Sequence, residues 1–313
     1  MFPQPHYIDT NGLRMAVYEQ GEGAPVVLLH GFPELAYSWR YQLPALAGAG
    51  FRAIAPDLRG YGLTGGPDDV AAYGLDTLVA DVGGLLDALG LETATFVGHD
   101  WGAILMFHLA MRMPDRVERL IGLNIPHMPR PPIDPIDMFR QRFGDDFYIV
   151  NFQDSDEADK AFAADPRRLF TNLVRRNQMP RATYVRLPEE MKVLSFLRVM
   201  ERDDPGGQAI LNNDELDYFV DAFGRSGFTK PINWYRNMSR NWRECEDADY
   251  TIDCPTLFLA AADELVVGPE HVEMMKGLVA DLTLHTLTPC GHFSQQERPD
   301  DVNRLIIEWL KVQ

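Results

Sequence analysis

The distribution of apolar and polar positions divides the chain into two kinds of segment. Short continuous apolar runs, such as residues 26–29 and 94–97, are typical of strands buried on both faces of a parallel sheet. Longer stretches with a helical period, such as residues 75–89 and 101–112, lie between most of these runs. This alternation predicts an α/β fold with a mostly parallel central sheet. Further apolar runs occupy residues 52–55, 120–123, 256–259 and 282–286.

The first twenty residues have the pattern of an antiparallel hairpin. Asn11-Gly12 is a strong signal for a two-residue turn, and it separates the strand-like segments 7–9 and 13–18. We therefore expect an N-terminal antiparallel hairpin.

The alternation stops near Pro126 and resumes at Thr251. Five prolines fall between positions 126 and 135, a composition that suits a stiff linker. The charged, helix-compatible sequence that follows has few strand signals. We therefore predict an α/β core formed by residues 1–127 and 246–313, interrupted by a mainly helical cap domain at residues 128–245.

Composition narrows the function classes. The 313 residues carry a formal net charge of −17, which argues against nucleic acid and anionic membranes as partners. Cys245, Cys254 and Cys290 have no CxxC spacing, which favours reduced thiols and a reducing compartment. We find neither a signal-peptide pattern nor an apolar run approaching the roughly 20 residues that span a bilayer, and we expect a cytoplasmic protein. Without metal or nucleotide motifs, we expect no cofactor and no metal.

The most informative motif is GHDWG at residues 98–102, between an apolar run and a helical segment. Small residues on both sides of a central nucleophile are typical of a sharp strand-to-helix turn, where Ser is the usual nucleophile. Here the central residue is Asp100. A carboxylate attacks without first losing a proton, so it suits attack on a saturated carbon and leaves an alkyl-enzyme ester.

A second motif, HGFPE at residues 30–34, follows the run 26–29. The glycine leaves the Phe32 amide accessible, and together with the Trp101 amide it predicts a two-donor oxyanion hole. We expect Glu34 to support this loop or to cap the following helix, and His99 to be structural.

A general base and an acid to orient it are predicted near the C-terminus. His292 follows the last predicted strand, and histidine is suited to deprotonating water near neutral pH. Asp263 and Glu264 both follow the run 256–259, and either could hold the imidazole. Because the two acids are adjacent, periodicity does not choose between them.

Together with PINWYRNMSRNW at residues 231–242 and CGHFSQQERPDDVN at residues 290–303, these motifs resemble the soluble epoxide hydrolases of the α/β-hydrolase superfamily. The resemblance implies the α/β-hydrolase fold, with Asp100 as nucleophile and His292 as the base that activates water. It also implies that Tyr235 is one of two cap tyrosines that hydrogen-bond the epoxide oxygen.

The resemblance places the other cap tyrosine at Tyr148, in FYIVNFQ at residues 147–153. Some relatives have a second aromatic residue where this chain has Asn151. Counting from Pro255 and back from His292 places the family's acid at Glu264, and Asp263 stays an alternative because the family more often uses Asp.

The expected reaction converts an epoxide into a vicinal diol through an ester on Asp100, with a small apolar epoxide and water as partners. A haloalkane or haloacid dehalogenase with the same Asp nucleophile is the alternative, and a non-catalytic hydrolase-fold binding protein is a remoter one. We expect a monomer or homodimer. Four apolar residues could line the substrate pocket or form the core of the cap: Phe139, Phe143, Phe152 and Met179.

Overall fold

The computed structural model describes residues 2–176 and 178–312. Its centre is an eight-stranded sheet, and two two-residue strands pair separately. The strands are β1 (His6–Thr10), β2 (Leu13–Gln20), β3 (Ala24–Leu29), β4 (Phe51–Pro56), β5 (Ala94–His99), β6 (Val117–Leu123), β7 (Arg175–Arg176), β8 (Gln208–Ala209), β9 (Thr256–Ala261) and β10 (Leu282–Leu287).

The order of strands in the main sheet is β1-β2-β4-β3-β5-β6-β9-β10. β1 and β2 are antiparallel, β2 pairs antiparallel with β4, and the remaining pairs are parallel. The predicted α/β class and mostly parallel sheet are confirmed. The N-terminal hairpin is also confirmed: Asn11 and Gly12 both have positive φ, 43° and 75°, as a type I′ turn requires.

The central strands are buried on both faces, as their continuous apolar sequences predict. In β3, Val27 and Leu29 face one apolar cluster, whereas Val26 and Leu28 face another on the opposite side of the sheet. This alternation follows from the two-residue side-chain period of a strand. The sheet therefore separates two apolar layers, each covered by helices.

Helices cover the sheet and fill the segment between β6 and β9. The prediction of a helix over residues 101–112 is met, and the helix predicted to end at residue 89 ends at Ala88. The α-helices are α1 (Gln42–Gly48), α2 (Leu75–Ala88), α3 (Trp101–Arg112), α4 (Pro135–Phe143), α5 (Tyr148–Asp154), α6 (Glu157–Ala164), α7 (Pro166–Leu173), α8 (Arg181–Tyr184), α9 (Phe196–Glu201), α10 (Asn213–Ser226), α11 (Thr229–Arg236), α12 (Met238–Glu244), α13 (Pro269–Met275), α14 (Ser294–Glu297) and α15 (Pro299–Val312). Short 3₁₀ helices span Ala36–Trp39, Val70–Tyr73, Pro114–Arg116 and Glu189–Met191.

The segment between β6 and β9 is mainly helical, from α4 to α12, with β7 and β8 as its two short strands. The boundaries predicted for the cap, 128 and 245, stay a prediction. Regular strand structure resumes at Thr256 rather than at Thr251, preceded by one isolated bridge between Ile252 and Val279. Among the residues that the structure describes, no helix has the length and hydropathy needed to cross a membrane.

Close packing between β3 and the start of α3 is possible only because residue 102 is glycine. A Cβ atom built on Gly102 would overlap the carbonyl oxygen of Leu29. By contrast, Gly224 in α10 is exposed and has no neighbouring atom within 4 Å of such a Cβ position.

We predict that Gly102→Ala lowers the free energy of unfolding by about 3 kcal/mol, because the backbone of β3 has to move to admit the methyl group. Gly224→Ala is the matched control and should raise it by up to about 1 kcal/mol, because alanine is the better helix former. Urea unfolding followed by circular dichroism measures both values. Equal effects of the two variants would contradict the close-packing explanation.

Candidate active site

Asp100 lies at the turn between β5 and α3. Its backbone has φ 52° and ψ −120°, a conformation that L-residues rarely adopt and that stores strain at functional sites. A Cβ on Gly31 would overlap the side chain of Asp100, so the HGFPE loop approaches it closely because it has glycine there. Asp100 is 8% exposed and lines a cavity. The strained turn therefore presents one buried carboxylate to an enclosed space.

A backbone amide holds one oxygen of this carboxylate. The Phe32 N–H donates to Asp100 Oδ1 over 2.9 Å. Burial raises the pKa of Asp100, while His292, His99 and the Phe32 and Trp101 amides oppose that rise by stabilising the charged form. The two predicted oxyanion-hole donors therefore both act on Asp100.

His292 lies on the other side of the carboxylate. Its Nε2 is 3.8 Å from Asp100 Oδ2, and its Nδ1 is 2.7 Å from Glu264 Oε2. Burial by itself lowers the pKa of His292, but the negative charges of Glu264 and Asp100 outweigh it and raise the pKa to about 9. Burial likewise opposes ionisation of Glu264, yet His292 and the surrounding donors lower the pKa of Glu264 to about 2.

The structure brings Glu264, and not Asp263, to the imidazole. Asp263 Oδ1 accepts a hydrogen bond from the Arg181 amide over 3.0 Å and so points toward the segment between β6 and β9. Glu264 is also held by the Val266 N–H over 3.0 Å and by Asn124 Nδ2 over 2.9 Å.

Asn124 was not singled out from the sequence. It directly follows β6 and has φ 64°, a conformation that asparagine tolerates better than most residues. Its amide also donates to the Gly291 carbonyl over 3.1 Å and accepts from Ser294 Oγ over 2.6 Å. It therefore ties Glu264 to the loop that carries the histidine.

Glu34 and His99 form a second buried acid–imidazole pair. Glu34 Oε2 is 2.7 Å from His99 Nδ1, and His99 Nε2 is 2.6 Å from the carbonyl oxygen of His292. The His99 ring thus bridges the Glu34 carboxyl group and the backbone of His292. Burial opposes ionisation of Glu34, but His99 and the Gly31 amide lower its pKa to about 2.

The expected loop-supporting role of Glu34 agrees with its bond from the Gly31 N–H over 3.0 Å. The extension through His99 to the backbone of His292 was not predicted. The sequence gives only one signal for it: both residues belong to motifs already singled out, HGFPE and GHDWG.

Tyr148 begins α5, and Tyr235 lies in the last turn of α11. Their ring centroids are 5.8 Å apart at 77°, and Tyr235 also packs edge-on against Trp101 at 5.2 Å. Burial and then the charge of Asp100 raise the pKa of both phenols well above the usual value. Both hydroxyls thus remain protonated donors beside a carboxylate.

Asp100, His292 and the two tyrosines line one cavity of about 440 Å³. Met179, one of the four residues considered for the pocket, also lines it. The three phenylalanines considered with it do not. Phe139 and Phe143 pack on Phe147, and Phe152 is 1% exposed within an aromatic cluster. The rest of the lining is mixed: it includes apolar residues (Phe32, Phe196, Leu194, Leu265), basic residues (Arg175, Arg198, Arg202) and other polar residues (Gln178, Glu190, Ser195, Asp263).

Comparisons with known proteins agree with this geometry. The family model for the alpha/beta hydrolase fold matches residues 24–299. Epoxide hydrolase A of Mycobacterium tuberculosis is 40% identical over 98% of this chain and 97% of that protein. Bifunctional epoxide hydrolase 2 of Sus scrofa is 36% identical over 96% of this chain, which spans 54% of that longer protein.

Solved structures agree as well. The crystal structure of epoxide hydrolase A from Mycobacterium thermoresistibile matches with a TM-score of 0.89 and 39% identity, covering 99% of this chain and 98% of that one. Potato epoxide hydrolase I matches with a TM-score of 0.87 and 32% identity, covering 99% of both chains. The chain therefore has the fold of the α/β-hydrolase superfamily. Within that superfamily it belongs to the epoxide hydrolase family.

The contacts of the two adjacent acids generate a prediction. Glu264→Gln should lower the pKa of His292 from about 9 toward the ordinary value of about 6.5, because the nearest negative charge is removed. Asp263→Asn, the matched control, should leave it unchanged. NMR titration of the His292 ring measures both. A lower His292 pKa in Asp263→Asn but not in Glu264→Gln would reverse the assignment.

Proposed function

We propose that this chain hydrolyses epoxides to vicinal diols through an alkyl ester on Asp100. The supporting observation is the arrangement around that carboxylate. One oxygen accepts from the Phe32 amide, the other faces His292, and Tyr148 and Tyr235 line the same cavity. A nucleophile, a base and two proton donors therefore surround one enclosed volume.

In the first step, Asp100 Oδ2 attacks one carbon of the epoxide ring. The C–O bond of the ring breaks, and the electron pair moves to the epoxide oxygen. A free alkoxide is a poor leaving group, so the phenols of Tyr235 and Tyr148 donate hydrogen bonds, and then a proton, as the charge appears. Their raised pKa values keep both phenols protonated before the reaction.

In the second step, His292 activates water against the Cγ atom of the Asp100 ester. Ester formation removes the negative charge of Asp100, which is one cause of the raised pKa of His292. The ring then loses its proton more readily and can act as a base. Glu264 holds the ring, and the proton that the ring has lost restores the phenol that was deprotonated in ring opening. One proton of the water then passes through His292 to the oxygen that leaves Cγ, and the other returns His292 to its charged form as the Asp100 carboxylate is regenerated.

The amide donors have a defined role in this second step. Oδ1 already accepts from the Phe32 N–H in the resting carboxylate. The negative charge of the tetrahedral intermediate develops on the same oxygen, so the Phe32 amide stabilises it without rearrangement, and the Trp101 amide is the second donor of the proposed oxyanion hole. Losing one such donor typically costs about 3 kcal/mol in activation free energy.

The two phenols favour an epoxide over an alkyl halide as substrate. A halide leaves as a stable anion and needs no proton, whereas an epoxide oxygen stays attached to the product and must be protonated. The apolar lining and the volume of about 440 Å³ support a small apolar epoxide, with water as the second substrate. A dehalogenase using the same Asp100 is the second candidate.

The origin of the site residues supports the proposed domain division. Asp100, Glu264 and His292 follow strands of the main sheet, whereas Tyr148 and Tyr235 lie on helices of the segment 128–245. We propose that this segment is a cap that completes the site from above. The three cysteines are free thiols, which supports the proposed cytoplasmic location.

We predict that His292→Gln accumulates a covalent adduct on the peptide containing Asp100 when treated with styrene oxide. Ester formation does not need the base, but ester hydrolysis does. Mass spectrometry of the digested protein detects the added mass, and Asp100→Asn is the matched control without a nucleophile. Unmodified His292→Gln protein after treatment would contradict the proposal. Halide release from a bromoalkane, without diol formation from any epoxide, would favour the dehalogenase.

A further inference from the structure

The two helices that carry the cavity tyrosines are joined at their C-terminal ends by reciprocal bonds. Gln153, on α5, donates from Nε2 to the carbonyl oxygen of Tyr235 over 3.0 Å. Arg236, on α11, donates from Nε to the carbonyl oxygen of Phe152 over 2.9 Å. Each helix therefore provides a side chain that binds the backbone of the other.

Arg236 uses all five of its N–H groups in this junction. Besides Phe152, its partners are the Ser155 carbonyl at 3.0 Å, Asn233 Oδ1 at 2.9 Å and both oxygens of Asp159, at 2.8 and 3.1 Å. The Arg236 and Asp159 side chains are only 14% and 6% exposed. A fully bonded, buried guanidinium of this kind fixes its neighbours in one geometry.

The helices themselves do not fix the spacing of the phenols. α5 has seven residues and α11 has eight, and helices this short are marginal in isolation. Tyr235 immediately precedes Arg236 in the sequence, and its carbonyl is the one that Gln153 binds. The junction therefore constrains the backbone directly beneath one phenol and one turn beyond the other.

We propose that Arg236 and Gln153 are positioning residues that set the separation of the Tyr148 and Tyr235 hydroxyls for ring opening. Neither side chain lines the cavity of about 440 Å³, so each acts through the tyrosines and not on the substrate. The inference rests on the proposed function, because the role of the phenols is to protonate the epoxide oxygen.

A change at Arg236 or Gln153 should lower the rate of one step of the reaction, ester formation. Ester formation requires both hydroxyls at the epoxide oxygen, whereas ester hydrolysis uses His292 and the two amides. Displacing a reacting group by about 1 Å can cost about 100-fold in rate. A disturbed junction should therefore slow ring opening selectively.

The test is a single-turnover experiment with styrene oxide and the full chain. Trp101 packs against Tyr235 at 5.2 Å, so its fluorescence can report ester formation, and rapid quench with mass spectrometry follows ester decay. We expect Arg236→Met to slow ester formation about tenfold or more while hydrolysis of the ester changes less than about twofold. Arg236→Lys, which keeps the charge and part of the bonding, should recover part of the loss.

Arg243→Met is the matched control, because the Arg243 side chain is exposed, lies on the next helix, α12, and has a long contact with Asp134 at 3.9 Å. In Arg243→Met, the rates of ester formation and of ester hydrolysis should both equal those of the unaltered protein. A double-mutant cycle supplies the second readout: Tyr235→Phe should cost less in the Arg236→Met background, because the phenol is already misplaced.

Two results would overturn the inference while leaving the proposed function intact: equal slowing of both steps, or independent effects of Arg236→Met and Tyr235→Phe. If Arg236→Met does not fold, Gln153→Leu tests the other half of the junction by the same two rates. Absence of any ester in the unaltered protein would instead contradict the proposed function itself.

Discussion

At Asp100 the chain turns from β5 into α3 with φ 52° and ψ −120°, and the rest of the site is arranged around that turn. The strain is tolerated because glycine occupies positions where a Cβ would overlap neighbouring backbone or side-chain atoms, at Gly31, Gly98 and Gly102. Strain at a functional residue persists only where the surrounding packing enforces it. Here the enforcing packing is that of the buried strands β3 and β5 against the start of α3.

Contacts between carboxyl groups and imidazole rings follow from this geometry. Asp100 lies near the rings of both His99 and His292, and each ring is held by its own buried glutamate, Glu34 or Glu264. The Glu34–His99 and Glu264–His292 pairs would each be costly to bury alone. Each glutamate also accepts a hydrogen bond, Glu34 from the Gly31 amide and Glu264 from the Asn124 side chain. Asp100 consequently lies beside imidazole rings and amide donors. These groups oppose the rise in its pKa that burial causes. In the proposed reaction, the same amides would stabilise an oxyanion at this position.

The sequence was most informative where the chemistry depends on local motifs. The hairpin turn, the parallel strands and the position of Asp100 all follow from residues close together in the chain. The choice between Asp263 and Glu264 does not follow from local sequence, because these adjacent loop residues differ only in the direction of their side chains. The link from Glu34 through His99 to the backbone of His292 joins three distant segments, and no periodicity reveals it.

The helical segment between β6 and β9 also contains contacts that its sequence does not reveal. Phe139, Phe143 and Met179 are equally apolar in sequence, yet only Met179 lines the cavity, because helix packing decides which apolar side chains face one another. Tyr148 and Tyr235 were placed by resemblance to a family and not by spacing. Their neighbours Gln153 and Arg236 look like ordinary polar helix residues until the two helices are seen to end side by side.

The most direct test of the account is a single turnover in water enriched in oxygen-18, with enzyme in excess over epoxide. If Asp100 makes the first bond to carbon, the new hydroxyl of the diol takes its oxygen from the carboxylate. The diol of the first turnover is then unlabelled, and the heavy isotope appears in the peptide containing Asp100. Label found directly in the diol, with none in that peptide, would mean that water attacks the ring itself and would contradict the account.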